Sequence, residues 1–311
     1  MRVVIKNCDE FYNTFKYVET LASEVKVMCD EHKMWLQVYQ VAGTAMAEVK
    51  FPAEYFEEYV CEAPVTVGVH TKIFLNMLKN TYKKKGVTLK MQASDAVDYI
   101  LITVIQEDEK HGKVECAYQM KLVEIVSDVM QVPEPAVHSE YKLTVATLKK
   151  WKDFIFSNCE YVTFTPKQNQ LTLESEDENK HKLKLTDDIE SNCWQEETTV
   201  ERTSERDGTA FTETICRKWQ NISIGSINVK LLFDLMTFGK KVRVQFFIEQ
   251  MPVECSVKLD EGVYIRVFIA PRIGDDEEEE NEASVETPAP VRTKKRKTMD
   301  ETEQQKAIAA H

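Results

Sequence analysis

Glycine and proline are scarce in this sequence, with nine of each among 311 residues. The chain has no G-x-x-x-x-G-K-[ST], G-x-G-x-x-G, G-x-S-x-G or H-E-x-x-H pattern, so the common phosphate-binding, nucleophile and zinc-protease motifs are missing. No run of about 18 apolar residues occurs, so we expect neither a membrane span nor a membrane partner. The opening residues turn polar too soon for a signal peptide. Because no local motif supports catalysis, we predict a protein that is not an enzyme and needs no cofactor.

Eight cysteines are present, but none lies in a C-x-x-C pair or beside a cluster of histidines. This spacing indicates reduced and mostly buried thiols in an intracellular protein. A zinc site would have to combine residues that are distant in the sequence, and this alternative stays open. The cysteines are Cys8, Cys29, Cys61, Cys116, Cys159, Cys193, Cys216 and Cys255.

The formal net charge is −12, which argues against binding nucleic acid through bulk charge but leaves room for a local basic surface. Residues 274–311 hold 11 acidic and 6 basic residues and almost no large apolar ones, so we predict a disordered tail. A compact basic cluster in this tail is typical of a nuclear import signal, although a solvated charge run is the alternative. Its residues are Arg292, Lys294, Lys295, Arg296 and Lys297.

The body of the chain is rich in short runs of β-branched and aromatic residues that alternate with polar ones, which predicts many strands. Four segments have a helical period instead. The order strand, helix, several strands, helix and several strands occurs twice, which indicates an internal duplication. We therefore predict an α+β protein with domains at 1–117 and 141–273 and a connector at 118–140. The predicted helices are 8–22, 70–83, 144–157 and 226–238.

The four predicted helices each combine an apolar face with an outward face that leans towards lysine. In segment 70–83 the predicted apolar face consists of Ile73, Phe74, Met77 and Leu78. A lysine stripe on one helix is usually just a solvated face, but four such stripes in an acidic body favour one basic surface. Lysines are point charges, so this surface suits a phosphate backbone better than base edges. The candidate residues are Lys16, Lys72, Lys79, Lys83, Lys149, Lys150, Lys230, Lys240 and Lys241.

Several strings in residues 1–273 resemble the proliferating cell nuclear antigen (PCNA) family of sliding clamps, and a divergent eukaryotic or large-DNA-virus member is indicated. They are Trp35-Leu-Gln-Val, Tyr118–Ile125, Val132–Glu134, Met251–Asp260 and Val267–Ile273, the last followed by an acidic run. The resemblance implies a DNA-clamp fold, in which two topologically similar domains each place antiparallel sheets outside and two helices inside. It further implies that three subunits form a ring around double-stranded DNA, with Tyr118 at the subunit interface.

The resemblance also implies that client enzymes bind a hydrophobic groove between the connector and the last strand. Expected partners are DNA polymerase, a clamp loader, a flap endonuclease and a ligase, in the nucleus or in a viral replication compartment. An ordinary domain junction is the alternative explanation for these apolar residues. The groove residues would be Tyr39, Thr44, Met46, Met130, Val132, Pro133, Pro252, Phe268, Ile269, Ala270 and Pro271.

Two other functions stay open at this point. The chain could be a clamp-fold subunit of a heteromeric checkpoint clamp or a clamp-derived viral transcription factor, which should lose self-complementary edges or the groove. An enzyme is the third alternative, with carboxylate pairs such as Asp187 and Asp188 as acid and base. In a charged loop, however, we expect these two carboxylates to be solvated.

Overall fold

Alternating apolar residues make most of the first half extended, and strand β2, for example, buries every second side chain. In the computed structural model two helices interrupt these strands, α1 (Cys8–Glu19) and α2 (Thr71–Leu78). Asn7 caps α1, because its side chain accepts a hydrogen bond from the backbone N–H of Glu10. The strands are β1 (Arg2–Ile5), β2 (Glu24–Cys29), β3 (Lys33–Tyr39), β4 (Ala45–Pro52), β5 (Glu58–Val60), β6 (Val65–His70), β7 (Val87–Gln92), β8 (Tyr99–Asp108) and β9 (Gly112–Lys121).

The second half has the same kinds of element. Its helices are α3 (Val145–Phe154), which Thr144 caps, and α4 (Ser226–Asp234), which continues as a 3-10 turn over Leu235–Phe238. Its strands are β10 (Val137–Leu143), β11 (Tyr161–Lys167), β12 (Gln170–Glu176), β13 (Lys182–Asp188), β14 (Ser191–Trp194), β15 (Glu197–Arg206), β16 (Thr209–Lys218), β17 (Ile222–Gly225), β18 (Val242–Phe247), β19 (Val253–Lys258) and β20 (Tyr264–Ile269).

The structure describes most of the body of the chain, and the basic cluster predicted in the tail lies outside the described residues, as does the whole of 274–311. Met1–Arg272 form one compact unit. The described residues are 1–5, 7–79, 81–84, 87–93, 98–108, 112–126, 128–132, 136–155, 159–177, 179–194, 197–206, 209–218, 221–247 and 251–272.

The sheets reveal an internal repeat in the topology. The first half has a five-stranded sheet in the order β5-β1-β7-β8-β9 and a four-stranded run β4-β3-β2-β6. The second half repeats both, as β14-β10-β18-β19-β20 and β13-β12-β11-β17. In this correspondence β9 matches β20, β4 matches β13, and each helix of one half matches a helix of the other.

The two halves are joined by one antiparallel pair of strands. β20 pairs with β4 from Tyr264 opposite Lys50 to Ile269 opposite Ala45, which merges two of the runs into a nine-stranded sheet. In the matching positions, β9 and β13 are outer strands of their sheets, since each pairs with a single neighbour. Within the chain, β20 and β4 therefore pair with each other, whereas the corresponding strands β9 and β13 each leave one edge open.

Aromatic side chains pack the helices onto the sheets in both halves. The ring centroid of Phe11 in α1 lies 5.2 Å from that of Phe51 in β4, and the centroid of Phe15 in α1 lies 4.8 Å from that of Phe74 in α2. In the second half the fully buried Trp151 of α3 faces Phe164 at 6.4 Å. These contacts remove large apolar areas from water, which is the main favourable contribution to folding.

Some predicted boundaries and faces differ from the structure. All four helices are shorter than predicted, and β9 and β10 take both ends of the predicted connector, which leaves 122–136 between strands. Ile73 was expected on the apolar face of α2 but is exposed, while Leu75 is buried. An eight-residue helix has few turns over which to average the periodicity, so a short window assigns its face poorly.

Candidate functional site

The four helices lie side by side in one layer. α1 packs against α2, and α3 packs against α4. The two pairs meet where the hydroxyl of Tyr17 in α1 donates a hydrogen bond to the backbone oxygen of Leu231 in α4, over 3.1 Å. Tyr17 also contacts Phe238 at 6.2 Å between ring centroids. The sheets bury one side of this layer, so the exposed side chains of the four helices share the opposite side.

Six of the nine predicted lysines lie at or near this layer with exposed side chains. Burial raises the pKa of Asp234 in α4, although the charges of Lys152 and Lys230 act in the other direction. Exposed ammonium groups therefore occur at the helices of both halves of the chain. The six are Lys16, Lys72, Lys79, Lys149, Lys230 and Lys241.

The other three predicted lysines have different surroundings. The ammonium of Lys240 bonds both carboxylate oxygens of Asp260 at 2.9 Å. Lys150 forms an ion pair with Asp187 in β13, whose second oxygen accepts a hydrogen bond from the indole of Trp151. Asp187 was expected to be solvated and instead holds α3 against β13. Lys83 has a positive φ of 56° after the end of α2.

An apolar pocket of about 240 Å³ lies between β4, β20, the front loop 40–44 and the connector. Eight of the eleven predicted groove residues line it, and most of them are apolar. Cross-strand neighbours in the nine-stranded sheet, Tyr39, Met46 and Phe268, form its floor. The remaining predicted lining residues are Thr44, Met130, Val132, Pro252 and Ala270.

Three predicted groove residues are not among those that line the pocket. Ile269 is only 1% exposed and belongs to the hydrophobic core, because successive side chains of a strand point to opposite faces. Phe268 and Ala270 therefore face the pocket, and Ile269 cannot. Pro271 lies beyond the strand and does not reach the lining. Pro133 is outside the described residues.

Four lining residues were not predicted from the sequence. Gly43 and Ala45 flank the predicted Thr44, and the first has a φ of 70° that allows the front loop to turn. Phe247 and Met251 border the short segment before β19. The alternation of strand β18 could have indicated Phe247. Met251 lies outside the strands, so no periodic signal could have indicated it.

A cluster of charged side chains, Arg266, Glu254 and Glu48, lies next to Phe268 in the pocket floor. The guanidinium of Arg266 lies 4.8 Å from the ring centroid of Phe268 and bonds Glu254 at 2.9 Å. Glu48 is a further partner at 3.7 Å, and both carboxylates are nearly buried. Burial alone would lower the pKa of Arg266, but the hydrogen bond and charge of Glu254 outweigh it and raise the pKa. The aromatic floor is thus held by a paired cation, which fixes its orientation.

The front loop connects the pocket to the helix layer. The hydroxyl of Thr44 accepts a hydrogen bond from the side-chain amide of Asn228 in α4 at 3.0 Å. The backbone oxygen of Thr44 accepts one from the N–H of Ala270 at 2.9 Å. Because Asn228 is buried and belongs to the other half, this bond fixes the loop relative to both halves.

The two open edges differ from the paired ones in their exposure. In β9 six consecutive residues are exposed, including Val114 at 46%, whereas β20 is largely buried. Tyr118 in β9 is half-buried and packs against the core. In β13 the residues alternate between half-buried and exposed, with Leu183 and Leu185 half-buried. Apolar residues on an open edge are suited to pairing with another strand.

The part of the chain that the structure describes has neither a cluster of metal ligands nor a helix that could span a membrane. No three or more His, Cys, Asp or Glu side chains there are grouped so that they could hold a metal ion. None of the helices described is long and apolar enough to cross a bilayer.

Comparisons with known proteins agree with this geometry. Residues 6–129 match the family model described as proliferating cell nuclear antigen, N-terminal domain. The PCNA of Chaetomium thermophilum is 21% identical over 267 residues, which cover 84% of this chain and 93% of that protein. The PCNA 2 of Plasmodium falciparum is 18% identical over 164 residues, and this chain spans only 62% of its length.

Solved structures share the fold at low identity. The PCNA of Entamoeba histolytica aligns with a TM-score of 0.67 and 15% identity, over 88% of this chain and 98% of that one. A chain of the PCNA2–PCNA3 complex of Sulfolobus tokodaii aligns with a TM-score of 0.63 and 19% identity, over 88% and 99%. The matching family model, the curated relatives and the shared fold together support a divergent member of the PCNA family of sliding clamps.

Proposed function

We propose that this protein is a DNA sliding clamp, which encircles duplex DNA and holds DNA polymerase and other enzymes on it. The observation that carries the proposal is the continuous layer of four helices with exposed lysines from both halves. Ammonium groups attract phosphates without reading sequence, and an acidic exterior limits sticking to DNA elsewhere. Such a protein would act by position alone, without an active site of its own.

The ring would form by pairing the open edges β9 and β13 of neighbouring subunits. Their counterparts β20 and β4 already pair within the chain, so the internal joint is a template for the joint between chains. Two different edges meet in such a contact, which makes it head-to-tail, and a closed ring leaves neither β9 nor β13 open. As in the resemblance stated above, we expect three copies, with Tyr118 at the interface.

The apolar pocket would receive a short helical segment of a client enzyme. Its floor of Tyr39, Met46 and Phe268 suits aliphatic and aromatic anchors that follow each other on one face of a helix. Burial of such anchors contributes about 25 cal/mol per Å² before the ordering costs. Polymerase, clamp loader, flap endonuclease and ligase are the expected clients, with import into the nucleus through the cluster around Lys295.

A heteromeric clamp is the second candidate. One solved relative is titled a PCNA2–PCNA3 complex, and two open edges on this chain can pair with other clamp subunits as well as with copies of itself. In that arrangement β9 and β13 would each face a different protein. The purified chain alone would then not close a ring.

The test is whether the protein is held on DNA by topology. A linear duplex is tethered to a bead at one end, the protein is allowed to thread over the free end, and that end is then blocked with a bulky protein. We expect the protein to stay on the blocked DNA in high salt and to leave after a cut by a restriction enzyme. A contact through lysines alone weakens steeply with salt. Equal loss from blocked and open DNA in high salt would contradict the proposal.

A further inference from the structure

The connector forms one wall of the groove but belongs to none of the described sheets. Most of its described residues, 123–126 and 128–132, are exposed or half-buried, and Met130 exposes 56% of its surface. A segment with so little burial gains little that could offset its conformational entropy. Its place beside the pocket therefore depends on specific anchors.

Among the described residues, hydrogen bonds join the connector to the rest of the chain at its start and at Met130. At its start the N–H of Leu122 donates to the backbone oxygen of Asp98 over 2.8 Å, and the N–H of Val123 donates to that of Gly68 over 2.9 Å. A side chain on Gly68 would collide with that stretch of the connector. The second point is Met130, at the pocket itself, and both of its backbone polar groups are used there.

One side chain provides the second anchor. The side-chain oxygen Oε1 of Gln37 accepts a hydrogen bond from the N–H of Met130 at 3.0 Å, and its Nε2 donates to the oxygen of Met130 at 2.9 Å. The amide thus pairs with the connector as a neighbouring strand would. A side-chain amide carries the acceptor and the donor of this pairing on two atoms of one planar group.

The same amide contacts a second lining residue of the pocket. The hydroxyl of Tyr39 donates to Oε1 of Gln37 at 3.2 Å. Gln37 is itself only 9% exposed and lies in the middle of β3, with Lys26 and Glu48 as its cross-strand neighbours. A buried side chain on a central strand has few alternative conformations, so it can fix what it binds.

We propose that Gln37 is the positioning residue of the groove, which fixes the connector wall at Met130 and the ring of Tyr39 in the binding arrangement. The inference rests on the proposed function in one respect, since it takes the pocket to be the client site. The effect on the connector does not depend on any client. Gln37 lines no part of the pocket and would act only through its two neighbours.

The test compares Gln37→Met with the wild type by hydrogen exchange at the amide of Met130. Methionine keeps the length of the side chain and removes both hydrogen bonds, so we expect exchange at Met130 to become at least about tenfold faster. Gln92→Leu, which changes an exposed strand glutamine, is the matched control. Unchanged exchange at Met130 would overturn the proposal, and Gln37→Leu replaces the methionine variant if that one does not fold.

A second measurement asks whether the fixed wall matters for binding. The probe is a fluorescent amphipathic peptide with an isoleucine and two aromatic residues on one helical face. We expect Gln37→Met to raise its Kd about tenfold, with the free energy of unfolding nearly unchanged. Equal affinity of variant and wild type would refute the positioning role. Failure of the wild type to bind the peptide would instead contradict the client groove. The hydrogen exchange at Met130 would still test whether Gln37 fixes the connector.

Discussion

At the scale of single residues, neighbouring side chains of the last strand, β20, contribute to different properties, one to binding and the next to stability. Phe268 faces the pocket and its neighbour Ile269 faces the core, although both belong to one apolar string in the sequence. A change at Ile269 therefore acts on the fold and not on the groove. The exposed wall of the pocket is the place where binding can be changed without loss of stability.

We predict that Met130→Ala weakens the peptide named above several-fold and leaves the free energy of unfolding within about 0.5 kcal/mol of the wild type. Ile269→Ala should instead destabilise the protein by about 2–5 kcal/mol, because it opens a cavity in a packed core. Peptide titration and denaturant unfolding of both variants check this. A stable Ile269→Ala protein that has lost its peptide would show that the assignment of the two faces is wrong.

Glu10 in α1 gives a prediction about pH. Burial, and then the charges of Asp260 and Glu261, raise its pKa from 4.5 to about 7, although Lys240 acts against them. The folded state therefore binds a proton that the unfolded state releases, and stability should fall as the pH rises from about 4.5 to about 7. Glu10→Gln should remove most of this decline and be more stable than the wild type at about pH 8.

Unfolding by urea across this pH range provides the measurement. Glu19→Gln changes an exposed carboxylate at the end of the same helix and serves as the control. If Glu10→Gln and the wild type lose stability in parallel as the pH rises, the carboxylate cluster around Glu10 is not the cause.

At the scale of secondary structure elements, the open strand β9 carries the proposed assembly. Its residue Val114 is 46% exposed, and the matching strand β20 buries the corresponding surface inside the chain. We predict that Val114→Arg shifts the assembly to smaller species, because a charge would be buried where two strands should pair. Val126→Arg, on the exposed connector, introduces the same charge and should leave the assembly unchanged.

Sedimentation over a range of protein concentrations distinguishes these cases. The folded subunit should survive both changes, since Val114 and Val126 lie outside the core. If the Val114→Arg protein assembles at the same protein concentration as the wild type, β9 is not part of the interface.

Strand positions are predictable wherever apolar and polar residues alternate, as they do throughout Val87–Gln92, the bounds of β7. The paired strands β15 and β16 were not predicted. Their sequences are polar and charged, so no buried face marks them, although Asp207-Gly208 between them is a typical two-residue hairpin signal. The groove was outlined by the family resemblance, but its amide anchor at Gln37 was not, since a side chain that pairs with distant backbone leaves no periodic pattern.

At the scale of the whole molecule, the lysines of the helix layer should act together and independently of the groove. We predict that changing Lys72, Lys79 and Lys149 to glutamate weakens association with duplex DNA and flattens its salt dependence, with about 0.9 lost from the slope for each phosphate contact removed. The peptide affinity should not change. Binding of a labelled duplex at several salt concentrations measures the effect.

A matched variant separates this local effect from the change in net charge. Lys142 and Lys258 are exposed lysines on strands outside the helix layer, and their replacement by glutamate should alter DNA association much less. If both variants weaken DNA binding equally per charge, the contact is not specific to the helix layer.

The native mass in solution tests the central claim most directly, because a clamp must close on itself through β9 and β13. At the highest of several concentrations, the protein should have three times the chain mass of 36.0 kDa. Lowering the concentration should reveal dissociation into single chains, as expected for head-to-tail pairing of strand edges. A protein that stays a monomer at every concentration would contradict a ring made of this chain alone.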